Sequence, residues 1–267
     1  MFGLFALLGP PLGSIGHADP PITPPITPPV VQRVSGGTID WSTLKLEVVV
    51  KSQLSRGAWQ DRKLQEQDAL DRLNRQITAI ARKVPVTPTV TAGELIDDGG
   101  DLGDRLTAGL RRWSVEETRY HNRGGVELVG TLDLRTWLWP ALASMSTEAG
   151  QLSLEGAQAT GLVIDARGLA MPLSISPVVA GPSGPLMQAQ DFSEEAARRR
   201  APVLYVTDPA DPRAAARAGD NPVLVRAERV DEDSGALILS PQTSARLTQS
   251  GALDAVANTG NVVIVIQ

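Results

Sequence analysis

The chain of 267 residues contains no cysteine and only two histidines, His17 and His121. The first absence excludes disulfides, thiolate metal sites, cysteine nucleophiles and a lipid carried on an N-terminal cysteine. The second excludes a multi-histidine metal centre and, together with the first, removes most nucleophile–base pairs. His121, at the end of an expected strand, reads as a surface residue. No serine nucleophile elbow, phosphate loop or dinucleotide glycine fingerprint occurs. Positive charge is scarce: the formal net charge is -5. Phosphate contacts need concentrated Lys and Arg, so a nucleic-acid partner is not expected. The one basic cluster, Arg198 to Arg200, follows Glu194 and Glu195 and reads as a solvated helix face. Long hydrophobic runs are also missing. The apolar stretch from Phe2 to Leu8 is too short to cross a membrane as a helix.

What is present is ordinary globular material. Apolar residues make up 42% and charged residues 21%, which excludes wholesale disorder and leaves room for one large domain or two ordinary ones. Residues 1–18 read as a signal peptide or an apolar arm. Small residues Gly16 and Ala18 stand where a signal peptidase would act, although no Lys or Arg precedes Arg33. Residues 19–42 read as a tether. Pro20 to Val30 spell PPITPPITPPV, and proline fixes φ and lacks a donor. This stretch is expected in polyproline II, roughly 3 Å per residue.

Patterning after the tether gives an α+β protein of two small domains, residues 43–146 and 159–267, joined by a Gly-, Ser- and Ala-rich linker at 147–158. In the first, Leu44 to Val50 fits a strand. A helix from about Trp59 to Lys83 carries Leu70, Leu73, Ile77 and Ile80 on one stripe and stops before Pro85. A shorter helix near Asp101 to Arg111 precedes strands at 113–121 and 126–134, the second of them alternating as a half-buried strand does. A long helix on a small antiparallel sheet follows. The second domain is expected as a more strand-rich mixed sheet with short helices. Its strands fall at 160–166, 174–179, 203–207, 223–230, 237–240 and 262–266, and its helices at 243–249 and 252–257. The last strand, VVIVI, is apolar on both faces and belongs at the centre of its sheet.

Three segments of the first domain carry a family likeness: Gln67-Asp68-Ala69-Leu70-Asp71-Arg72-Leu73, Val115 to Tyr120, and Gly125-Val126-Glu127-Leu128. They resemble the N-terminal domain shared by flagellar assembly protein T and the related outer-membrane lipoprotein antigens. The second domain, marked by TGLVIDARGL (160–169) and AGDNPVLVRA (218–227), resembles a domain found beside it in envelope proteins. The resemblance implies a periplasmic, non-enzymatic assembly or scaffold role with no catalytic residues and no cofactor. Its expected partners are envelope or flagellar-motor proteins, with outer-membrane association and homo-oligomers both open. The lipobox cysteine of the lipoprotein members is missing.

Few residues offer chemistry. Asp97, Asp98, Asp101 and Asp104 sit in the loop DDGGDLGD, where carboxylates could hold calcium, but neither an EF-hand nor the calcium nonapeptide is spelled. A solvated loop leading into a helix N-terminus is simpler, and no metal is expected. Trp113, Trp137 and Trp139 are either core residues or an exposed aromatic patch that docks a partner. Asp165 and Arg167 either pair locally around a turn at Gly168 or line a ligand site. Asp220 and Asn221, in a turn entering a strand, would complete that site if the two motifs meet in space. Protein–protein scaffolding is the leading expectation, and a periplasmic small-ligand module the alternative.

Overall fold

Antiparallel pairing begins earlier in the chain than the proline pattern suggests. The computed structural model describes residues 27–53, 61–122, 125–145 and 159–267, together covering an α+β protein. Val31–Val34 (β1) and Gly37–Asp40 (β2) form a hairpin turned at Gly36, whose φ is +86°. The tether expected over 19–42 therefore ends before residue 31. The prolines that bar sheet pairing stop at Pro29, and VQRV beyond them has every donor a strand needs. Residues 1–26, with the apolar arm, and the linker at 147–158 lie outside the described residues.

Lys45–Lys51 (β3) continues the sheet. Arg62–Ala81 (α1) follows, capped by Asp61, whose side chain accepts a hydrogen bond from the Leu64 backbone at 3.1 Å. Its buried stripe is Ala69, Leu73, Ile77 and Ile80, and burial of Leu73, Ile77 and Ile80 stabilises the fold by about 1.5–3 kcal/mol each. A short helix, Ala92–Asp97 (α2), opens on a capping box between Thr91 and Glu94, with Gly100–Gly109 (α3) after it. Asp97 pairs with Arg82 and Asp101 with Arg105, each at 2.6 Å, so these carboxylates serve as salt-bridge partners.

Ser114–Tyr120 (β4) and Val126–Asp133 (β5) complete an antiparallel sheet of order β1-β2-β3-β5-β4. Strand β5 is buried on both faces rather than one. Its inner face packs on α1. On the outer face Glu127 is covered by Arg119 and Lys51, which reach its carboxylate at 2.8 and 3.1 Å. These bonds, from Lys51 first and then Arg119, hold the Glu127 carboxyl below the usual carboxylate range. Leu134–Met145 (α4) is a helix containing Pro140, where the sequence led to no helix.

Gly161–Asp165 (β6) starts the second half. Val179–Gly181 (β7) and Gly184–Met187 (β8) form a hairpin, Glu194–Arg199 (α5) and Leu204–Val206 (β9) follow, and Pro212–Ala218 (α6) is capped by Asp211. Pro222–Arg226 (β10), Arg229–Val230 (β11), Leu237–Ile238 (β12), Pro241–Gln249 (α7), Ala252–Thr259 (α8) and Val262–Val265 (β13) close the chain. These strands make two sheets rather than a single mixed one. Strands β10-β6-β13-β9 are wholly parallel, and β11-β12-β7-β8 form a small mixed sheet. Strand β13 lies inside the parallel sheet with all four residues buried, as its two-sided apolarity requires. Helix α6 covers one face through Ala214 and Ala218, against Val206, Val263 and Val265.

Two expected strands differ. Residues 174–178 are not a strand of either sheet, because Ile175 and Ser176 donate their backbone N–H groups to Pro85 and Val86 of the first half, at 3.0 and 2.8 Å. The run 223–230 is split: Ala227 donates to the Asp165 carbonyl and Glu228 to that of Ile238, so the chain passes there from one sheet to the other. The core is continuous across the halves, with Trp41 edge-on to Tyr205.

Candidate functional site

Parallel strands point their carboxyl ends to one edge of the sheet, and that edge is where open α/β sheets hold ligands. Here it collects Asp165 and Arg167 after β6 and Arg226 to Glu228 after β10, since Asp165 and Arg226 are register partners. Arg167 folds back on Asp165. Its backbone N–H and Nε both donate to Oδ1, at 3.1 and 2.9 Å, and Nη2 donates to Oδ2 at 2.8 Å. Gly168, with φ at +80°, lets the chain turn beneath this pair. The bonds from Arg167, against a smaller opposing effect of burial, bring the Asp165 carboxyl down to about 2. The local-turn reading of these two residues is the one observed.

Asp220 and Asn221 stand at the other edge. They precede β10, where Thr160 and Asn221 exchange bonds: Asn221 N–H donates to Thr160 Oγ1, and Thr160 N–H to the Asn221 carbonyl, each at 2.9 Å. Pro222 pairs with Gly161 and Arg226 with Asp165, so the strand separates the two motifs by about 13 Å at 3.3 Å per residue. A single pocket built from both is therefore excluded. The DNP turn closes the amino-terminal edge, and the DARG turn opens the carboxyl-terminal one.

A depression of about 360 Å³ lies beside the DARG turn, lined by Arg167, Leu169, Arg226, Glu228, Ser240 and Thr243 among others. Ser240 caps α7, accepting from the Thr243 backbone at 3.0 Å and donating its hydroxyl to Thr243 Oγ1 at 2.8 Å. Among the described residues, neither the Arg226 guanidinium nor the Glu228 carboxylate makes a side-chain hydrogen bond or ion pair, and both residues are exposed. Arg226 is close enough to help depress the Asp165 carboxyl. Of the lining, the sequence reading reached only Arg167. Arg226 reaches Arg167 through the parallel pairing of β6 and β10, and Ser240 and Thr243 through the passage of the chain into β11 and β12, and no local pattern records either arrangement.

The tryptophans do not form a docking patch. Trp137 is 2% exposed and donates its indole N–H to the Leu106 carbonyl at 2.9 Å. Trp113 is half-buried and donates to Asn74 Oδ1 at 3.0 Å, while Trp139 is half-buried on α4. Trp137 lies on the inward apolar face of α4, and Trp113 packs against the edge of the core.

No helix among the described residues is long and apolar enough to cross a membrane. No curated protein matches the chain. Residues 161–267, which hold the whole of both carboxyl-terminal sheets and the depression beside them, match the family described as the second domain of Treponema pallidum Tp0624.

Proposed function

We propose that the protein is a binding module of the cell envelope that holds a small carboxylate- or phosphate-bearing ligand at the carboxyl edge of its parallel sheet. One observation carries the reading: the Arg226 guanidinium, free of hydrogen bonds among the described residues, faces the 360 Å³ depression beside the hydroxyls of Ser240 and Thr243. An unspent guanidinium presents a planar fork of donors suited to a carboxylate or phosphate. The scaffold reading asked for an exposed aromatic face, whereas Trp137 is buried and Trp113 and Trp139 are half-buried.

The envelope location is supported by the apolar run at Phe2 to Leu8 with small residues after it and by the proline-rich stretch behind. The likeness of residues 43–146 to the flagellar assembly protein T and lipoprotein-antigen domain points the same way. Cell fractionation tests that part. Titration of the full chain with N-acetylalanine and with phosphate, followed by amide chemical shifts, tests the site. Binding moves residues 226–228 and 240–243, and Arg226→Ala abolishes the shift. Unmoved signals in the millimolar range would overturn the reading.

A further inference from the structure

The depression does not end at Leu169. The same leucine lines a second, larger cavity of about 590 Å³, with Ala170, Pro172 and Val230 on its walls and Glu232 and Asp233 at its rim. Together they form a groove between two stretches of chain, 167–172 on one side and 226–235 on the other. Both walls have open backbone. Residues 169–173 belong to no helix or strand, and among the described residues the N–H groups of Ala170 and Met171 donate to nothing. Opposite, β11 is the edge strand of the small sheet and brings Arg229 and Val230 to the lining. An edge strand beside a segment with unpaired backbone donors is where proteins can take up an extended peptide as an added strand.

Charge gives the groove a direction. Arg226 stands at one end, beside Arg167, whose charge Asp165 balances, and the carboxylate of Glu228. At the other, Glu232 and Asp233 are exposed and make no ion pair among the described residues, while Asp231 is held by Ser234 and Arg229. Between them lie the apolar surfaces of Leu169, Pro172 and Val230. The six residues 167–172 span at most roughly 17 Å between the first and last Cα, room for a peptide of no more than three or four residues.

We infer that the ligand is a short extended peptide, its C-terminal carboxylate on Arg226 and an amino or basic group three or four residues upstream facing Glu232 and Asp233. This rests on the site proposed above and adds the ligand's class and polarity.

The test is calorimetric and NMR titration of the full chain with Lys-Ala-Ala-Ala, its C-terminal amide, an N-acetylated tetra-alanine and N-acetylalanine. The free lysyl peptide should bind about tenfold more tightly than its amide, the effect of one charge-assisted contact. Its shifts should extend from residues 226–228 to Ala170, Met171 and Val230. The paired variant Glu232→Gln with Asp233→Asn should weaken the lysyl peptide several-fold and leave N-acetylalanine unchanged. If the tetrapeptide binds no better than N-acetylalanine and moves only residues 226–228 and 240–243, the peptide inference falls while the anion site stands. If nothing moves, both fall.

Discussion

Trp41 and Tyr205 meet edge to face, their ring centroids 6.1 Å apart and their planes at 80°, although one belongs to the antiparallel half and the other to the parallel sheet. Both are fully buried, and the Tyr205 hydroxyl donates to the Ser174 carbonyl at 2.8 Å. Burial pushes the Tyr205 phenol well above its usual range, so it stays a neutral donor. The contact joins the halves through packing, and Trp41→Ala should cost about 3–5 kcal/mol. Tyr205→Phe keeps the ring and takes the hydroxyl from both the carbonyl and the N–H of Ser174, for about 1–3 kcal/mol. Urea unfolding followed by circular dichroism checks both. Two separate transitions in the native chain would contradict the coupling.

Gly130 lies on β5 where a Cβ would come within 2.6 Å of Leu73 Cδ2 and 2.9 Å of its Cγ. Leu73 is fully buried on α1, so helix and sheet approach this closely because the glycine has no side chain. Gly130→Ala should destabilise by about 1–3 kcal/mol through overpacking. Leu73→Val beside it should return part of that loss, and the double-mutant cycle should show a coupling of about 1 kcal/mol. Strictly additive losses would mean that the two residues do not share the space.

Periodicity located α1, β3, β5 and β13 within a few residues because each carries a sustained apolar pattern that packing rewards. It missed α4, where Pro140 reads as a breaker but is accommodated within the helix. Hairpin β1–β2 was masked by the adjoining prolines. The run 174–178 was read as part of a strand, yet the donors of Ile175 and Ser176 turn to Pro85 and Val86, and a partner some ninety positions away leaves no local trace. The candidate site shows the same limit. The DARG turn was legible as a turn, since Asp165 and Arg167 are two apart and Gly168 follows. Arg226 joins Arg167 through the strand order β10-β6, and Ser240 and Thr243 through the pairing of β11 with β12.

Acid should weaken the DARG turn within a defined window. The Asp165 carboxyl sits at about 2 when folded against an ordinary value of 3.8. Between those values the unfolded chain binds more protons, so stability rises with pH there. The contribution is complete above about pH 4 and lost as pH falls through 2. With Arg167 half-exposed, it amounts to about 1 kcal/mol rather than the full linkage value. Asp165→Asn should lose that amount at neutral pH and flatten this part of the acid limb in urea titrations at pH 2 to 5. An acid limb unchanged from the native chain would show that the pair contributes nothing.

Arg217 on α6 is half-buried and, among the described residues, no carboxylate pairs with it. Its Nε donates to the Gly260 carbonyl at 2.8 Å and its Nη2 to the Ala201 carbonyl. Burial draws the guanidinium down to about 10, still fully charged at neutral pH. Gly260 caps α8, so the cation meets the negative end of that helix and ties it to α6 beneath β13. Arg217→Met would keep the packing of the stem and leave both carbonyls without their donor. The expected loss is about 2–3 kcal/mol, softened where water reaches the half-buried site. Arg217→Lys restores the charge but offers no fork, so it should recover only part of the loss. Because no carboxylate is involved, the effect should be the same at pH 4 and pH 7, unlike that of Asp165→Asn. A loss that shrinks on acidification would mean that Arg217 draws its stability from an acidic partner rather than from the helix end.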